Sequence, residues 1–200
     1  LIIPFRLNFT KEALTWANFH NGYAKFNHDN KYGLIDIHGK EIIPAIFEDI
    51  IAHYGNLIAI KRNDKWGYCN RDVKLVIPYQ YDAAWGFSQG VAKVRKENLH
   101  GIIDETGKTK VPFNYENINF INDSLISVKN EGKYGLRSVE DQEIFPCEFD
   151  VIQEVDDELL LLSTNGKMAY YSTGKMKMLW ADPEISIVHS YETHPGNTKK

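Results

Sequence analysis

Apolar and aromatic residues in this chain come in short runs of strand length, separated by Gly, Asn and Asp. Tyr32 to Ile37, Leu57 to Lys61, Trp66 to Asn70 and Val91 to Arg95 mix β-branched and aromatic side chains, the pattern of β-strands bounded by turn residues. Briefer runs, Glu41 to Ile43 and Leu75 to Ile77, read as a second strand within each unit. Three strands per unit are therefore predicted. His38-Gly39 and Thr106-Gly107 lie between the first and second strands. Asn63-Asp64, Glu131-Gly132 and Asn165-Gly166 lie between the third strand and the next first strand. Glycine supplies the positive φ that tight hairpin turns need, and Asn-Gly is the strongest short hairpin signal.

The pattern returns every 34 residues. Lys31-Tyr32-Gly33, Lys65-Trp66-Gly67, Leu99-His100-Gly101 and Lys133-Tyr134-Gly135 open four units. Pro44, Pro78, Pro112 and Pro146 share one offset, and Phe47-Glu48, Tyr81-Asp82, Tyr115-Glu116 and Phe149-Asp150 share another. A period of this size marks one supersecondary unit stacked on copies of itself. Tyr32, Gly33, Trp66, Gly67, Gly101, Tyr134, Gly135 and the four prolines are thus structural repeat positions. Proline has no N–H for a ladder and is expected to end the second strand.

The expected organisation is a single array over residues 1–180. A partial unit covers 1–30, full units cover 31–64, 65–98, 99–132 and 133–166, and a partial unit covers 167–180. Residues 181–200 are expected to form a cap or tail. The expected fold class is all-β, an open curved array of short antiparallel strands and hairpins. A closed, propeller-like ring is the alternative; a propeller blade has four strands rather than the three predicted here.

Lys65-Trp66-Gly67-Tyr68, Val76-Ile77-Pro78, Tyr81-Asp82 and the stretch from Phe87 to Val94 resemble the WG-repeat (KWG repeat) family. Elsewhere the match is degenerate: Tyr32, His100, Tyr134 and Met168 stand for tryptophan, and Ala169 for glycine. The resemblance implies a bacterial, repetitive all-β protein. It transfers no catalytic residue, because the family motif is structural.

Composition changes this picture little. A hydrophobic content of 43% suffices for a packed core, and a net charge of −4 argues against a nucleic-acid partner. No apolar run approaches the roughly 18 residues of a spanning helix. The chain opens at Leu1, which reads as a processed or excised form, so no compartment is assigned. Cys69 and Cys147 occupy different offsets and are expected to be independent side chains rather than a disulfide or metal site. The seven histidines lack metal-ligand spacing. No cofactor or metal is expected.

Three sets of residues bear on function. Glu48, Asp82, Glu116 and Asp150 would stack into a row, which is read as a repeated turn acid rather than a glycosidase pair. Lys61, Arg95 and Lys129, and Lys31, Lys65, Lys133 and Lys167, would form basic ladders that protect a sheet edge or meet an acidic partner. Trp85 and Phe87, with Trp16 and Phe19 at nearby offsets, depart from the repeat. Residues not required by stacking are the candidates for a binding surface. The function expected is a non-catalytic repeat scaffold that binds a protein partner. A carbohydrate or cell-wall module, with repeated aromatics such as Trp66 and Tyr134 exposed for sugar stacking, is the alternative. A glycoside hydrolase-like enzyme ranks third.

Overall fold

The computed structural model describes residues 22–51 and 55–185. Among the described residues there are nineteen strands and no helix, in five antiparallel sheets of which none closes on itself. The first sheet holds β1 (Tyr23–His28), β2 (Lys31–Asp36) and β3 (Glu41–Phe47). The second runs β4 (Asp49–Ile51), β5 (Ile58–Arg62), β6 (Lys65–Cys69) and β7 (Leu75–Tyr81). The third runs β8 (Ala83–Ala84), β9 (Val91–Lys96), β10 (Leu99–Asp104) and β11 (Thr109–Tyr115). The fourth runs β12 (Asn117–Phe120), β13 (Leu125–Asn130), β14 (Lys133–Ser138) and β15 (Glu143–Phe149). The fifth runs β16 (Val151–Asp156), β17 (Leu159–Thr164), β18 (Lys167–Ser172) and β19 (Lys177–Ala181). The chain divides into two compact units, Leu1–Thr109 and Lys110–Lys200.

The tandem all-β architecture is as expected, but the sheets of residues 49–181 have four strands each, not three. The additional strand follows the proline-bearing one and varies in length: β8 has two residues and β4 three, against four in β12 and six in β16. In β4 and β8 too few residues are present to show an alternating pattern, so the stretch reads as a turn.

The prolines do not end strands. Pro44, Pro78 and Pro146 sit inside the seven-residue strands β3, β7 and β15. The register explains how. Trp66 pairs with Tyr81 and Tyr68 with Ile77, so two steps along β6 span four along β7. Pro78, Tyr79 and Gln80 bulge out of the ladder, where a missing N–H leaves no partner unsatisfied. The bulge folds back over Gly67. A Cβ there would lie 2.6 Å from the Ile77 carbonyl oxygen and 3.0 Å from the Tyr79 nitrogen. Gly33 and Gly135 face the same obstruction from Ile43 and Phe145, at 2.5 Å and 2.9 Å. The glycine and the proline, eleven positions apart, are thus two halves of one device.

Hairpin turns obey the predicted chemistry. Asn63-Asp64, Glu131-Gly132 and Asn165-Gly166 all have positive φ at both positions, as do Asp29-Asn30 and Glu97-Asn98. Two consecutive left-handed residues make a type I′ turn, whose twist suits a two-residue hairpin.

Within each unit a core forms between consecutive sheets. Leu34, Ile43, Phe47, Ile50, Ile58, Ile60 and Cys69 make one cluster. Leu136, Phe145, Phe149, Leu160, Leu162, Ala169, Tyr171 and Ile185 make another. Trp66 is 8% exposed and belongs to the core rather than to an open stacking face. Cys69 is buried and Cys147 half-buried, both as free thiols. Burial pushes the Cys69 thiol up to about 11.

Candidate functional site

The repeated acids are engaged with backbone and lysine. The Glu48 carboxylate accepts from the amides of Asn63 and Asp64 at 2.9 and 3.0 Å. One Asp82 oxygen accepts from the Glu97 amide at 2.7 Å, and the other accepts from Lys65 Nζ. Asp150 repeats this with the Asn165 amide at 2.8 Å and with Lys133. Each acid therefore clamps a type I′ turn whose residues stand in a costly left-handed conformation. The bond from Lys65, and then that from the Glu97 amide, hold Asp82 below its ordinary range. The same causes, Lys133 and then Asn165, act on Asp150, and the two turn amides act on Glu48.

This geometry also accounts for one basic ladder. Lys65 and Lys133 serve the acids seventeen residues ahead, and Lys167 meets Glu184 at 2.9 Å. In the other ladder, Lys61 bonds Asp64 at 2.9 Å, and Lys129 lies 5.3 Å from the centre of the Tyr134 ring.

A third recurrent set escaped the sequence reading. Asp36, Asn70, Asp104, Ser138 and Ser172 share the 34-residue offset. Asp36 Oδ1 accepts from the amides of His38 and Lys40, at 2.8 and 2.9 Å. Asn70 does the same for Asp72 and Lys74, Asp104 for Thr106 and Lys108, and Ser138 for Glu140 and Gln142. These side chains organise the turn before each outer strand. The signal lay in the shared chemistry, a short side-chain oxygen, rather than in residue identity.

The residues that depart from the repeat separate sharply. Phe87 is 1% exposed and packs edge-on against Tyr68, ring centres 4.9 Å apart. It is a core residue, and its placement on a binding surface is corrected accordingly: both residues lie beyond the end of β8, where no strand alternation keeps positions two apart on one face, and Phe87 turns in onto Tyr68 while Trp85 stays open to solvent. Trp16 and Phe19 lie outside the described residues. Trp85 is 38% exposed. The Lys93 ammonium sits 4.3 Å from the centre of its ring, and the His100 ring lies 5.6 Å away, tilted by 50°. Its backbone is fixed on both sides: its amide donates to the Lys93 carbonyl at 3.1 Å, and the Tyr68 hydroxyl donates to its carbonyl at 2.8 Å. Burial holds the Lys93 ammonium below the usual lysine range. Trp85 is thus a large amphipathic ring, held rigidly and half open to solvent.

No group of three His, Cys, Asp or Glu side chains among the described residues is placed to hold a metal. No helix among them is long and apolar enough to cross a membrane.

Comparison with known proteins follows the architecture. A family model described as WG containing repeat matches residues 32–66, 66–99 and 101–134. No curated protein matches the chain in sequence. Among solved structures, Kluyveromyces lactis Hsv2 is similar at 12% identity, with 80% of this chain and 60% of that one covered and a TM-score of 0.45. A eukaryotic initiation factor gives 12% identity, 79% and 51% coverage and a TM-score of 0.50. The N-terminal domain of Nup159 gives 10%, 76% and 55%, with a TM-score of 0.46. This chain spans about three fifths of the Hsv2 length. At these identities the likeness concerns the fold alone.

Proposed function

The chain belongs to the WG-repeat family, and from that premise we propose that it is a non-catalytic repeat module that holds a protein partner at Trp85. The observation that carries this reading is the contrast between repeated and unrepeated positions. The recurrent acids have a structural task at each hairpin: Glu48, Asp82 and Asp150 clamp turns. The recurrent lysines answer them, and the recurrent aromatic Trp66 is packed away. Trp85 has no such task set by the repeat. It stays exposed although tryptophan side chains have the most to gain from burial.

A pre-positioned tryptophan suits protein recognition. It buries a large area at little entropic cost, and its rigid backbone means that little ordering remains to be paid for on binding. Lys93 and His100 border the ring, which favours a partner that brings carboxylate or carbonyl oxygens to this spot. The carbohydrate alternative loses half of its basis, because Trp66 is not accessible to a sugar ring.

The test is capture of a partner from native extract by the immobilised chain, followed by titration of the purified partner. Trp85→Ala is expected to abolish capture while the chain stays folded, with a loss of unfolding free energy of about 1 kcal/mol from the ring's contacts with Lys93 and His100. Full retention of binding by Trp85→Ala would defeat the proposal.

A further inference from the structure

We propose that β19 pairs edge to edge with β19 of a second copy of this chain, antiparallel across a two-fold axis. Among the described residues, β3, β7, β11, β15 and β19 each stand at one end of their sheet. An end strand presents unpaired backbone groups, and proline within it is a common protection. Four of the five carry it: Pro44, Pro78, Pro112 and Pro146. At the same offset β19 has Trp180. The glycine that would accommodate a bulge is also replaced, by Ala169, and Ala169 pairs with Ala181 and Tyr170 with Trp180 in ordinary register. Leu179 and Trp180 are 50% and 51% exposed on this strand.

The phase of the ladder says which groups face outward. The Asp182 amide donates inward to the Met168 carbonyl at 3.0 Å. Alternation in an antiparallel pair then turns the N–H and C=O of Ala181, opposite Ala169, away from β18. A register shift follows between Tyr170 and Tyr171, and Met178 pairs with Tyr171. Counting along β18 from Met168, Tyr171 falls in the outward phase, as Ala169 does, so Met178 also turns its groups outward. Outward groups at Met178 and Ala181 are mutually complementary between two antiparallel copies: Met178 of one faces Ala181 of the other.

That register decides the rest. It places Leu179 opposite Trp180, an aliphatic–aromatic pair of the kind that stabilises adjacent strands. It also places Lys177 opposite Asp182, twice by symmetry, so charge complementarity favours a second copy over an unrelated peptide.

Sedimentation equilibrium of the full chain over a wide concentration range tests this. A monomer–dimer equilibrium is expected, with Lys177→Glu raising the dimer dissociation constant about tenfold or more by setting like charges opposite each other twice. Lys177→Glu combined with Asp182→Lys restores opposite charges in reversed order and is expected to recover dimerisation. Concentration-dependent amide protection at Met178 and Ala181 in hydrogen exchange would accompany it. A monomer at all concentrations, a dimer indifferent to Lys177→Glu, or no recovery in the double variant would each overturn the proposal. Protection of Met178 and Ala181 in a monomer would overturn it too, by showing the edge covered within one chain.

Discussion

The β6–β7 and β18–β19 pairs occupy the same place in their sheets, yet they are built differently. In β6–β7, Gly67 lies under the bulge that contains Pro78. In β18–β19, Ala169 and Trp180 stand at those two positions and the large bulge is gone. Other repeat features persist in the last sheet: Lys167 still meets an acid seventeen residues on, and Ser172 still accepts from a turn amide, that of Lys175 at 3.2 Å. Glycine and proline have therefore been lost together while the lysine, acid and turn oxygen were kept. The difference teaches that the Gly–Pro pair is one unit of structure, separable from the turn clamps. It also shows what the pair does at an outer strand, since its loss leaves an apolar edge with a one-residue register shift in place of the proline bulge.

Substitutions sharpen this contrast, the largest effect coming from the glycine. Gly67→Ala drives a methyl into the Ile77 carbonyl, a backbone atom that cannot swing away. A loss of about 3 kcal/mol is expected in urea denaturation, at the upper end for overpacking. Asp82→Asn attacks the clamp instead. It weakens the bond to the Glu97 amide and removes the ion pair with Lys65, which costs about 1 kcal/mol at neutral pH.

The Asp82 effect carries a pH signature. Its folded-state affinity for a proton is lowered by Lys65 and Glu97, so the folded state favours the ionised form. The contribution is complete above the unfolded-state pKa of about 3.9 and disappears as the pH falls through the lower folded value. Wild type and Asp82→Asn should accordingly converge in stability below about pH 4. Pro78→Ala is expected to have the smallest effect, a loss of about 0.5 kcal/mol from added freedom in the unfolded chain, because no ladder bond depends on that residue. A loss comparable to that of Gly67→Ala would mean the proline itself holds the bulge.

Much of the fold could be read in the residues because recurrence multiplies weak signals. Gly33, Gly67, Gly101 and Gly135 announced themselves by position, and the type I′ turns by Asn-Gly and its relatives. What escaped notice depended on partners far along the chain. The place of Pro78 inside a strand is set by Gly67 on the neighbouring strand, a relation that proline's missing N–H does not suggest by itself. Strand β8, with two residues, has too short a pattern to detect. The turn oxygens from Asp36 to Ser172 were hidden because three residue types do one job. At the candidate site, Trp85 and Phe87 looked equivalent as departures from the repeat. Only the contact between Phe87 and Tyr68, nineteen positions earlier in the chain, distinguishes the buried ring from the open one.

At residue 67 glycine is required by the proline bulge, whose Ile77, Pro78 and Tyr79 backbone atoms are what a Cβ there would meet. Urea denaturation of Gly67→Ala beside Ala169→Gly, the same exchange made in opposite directions, tests it most directly. The account predicts a loss of about 3 kcal/mol for the first and about 1.5 kcal/mol for the second, the latter being the entropic cost of glycine in a strand plus the lost burial of the Ala169 methyl in its core cluster. Equal losses at the two positions, or a tolerated alanine at residue 67, would contradict it.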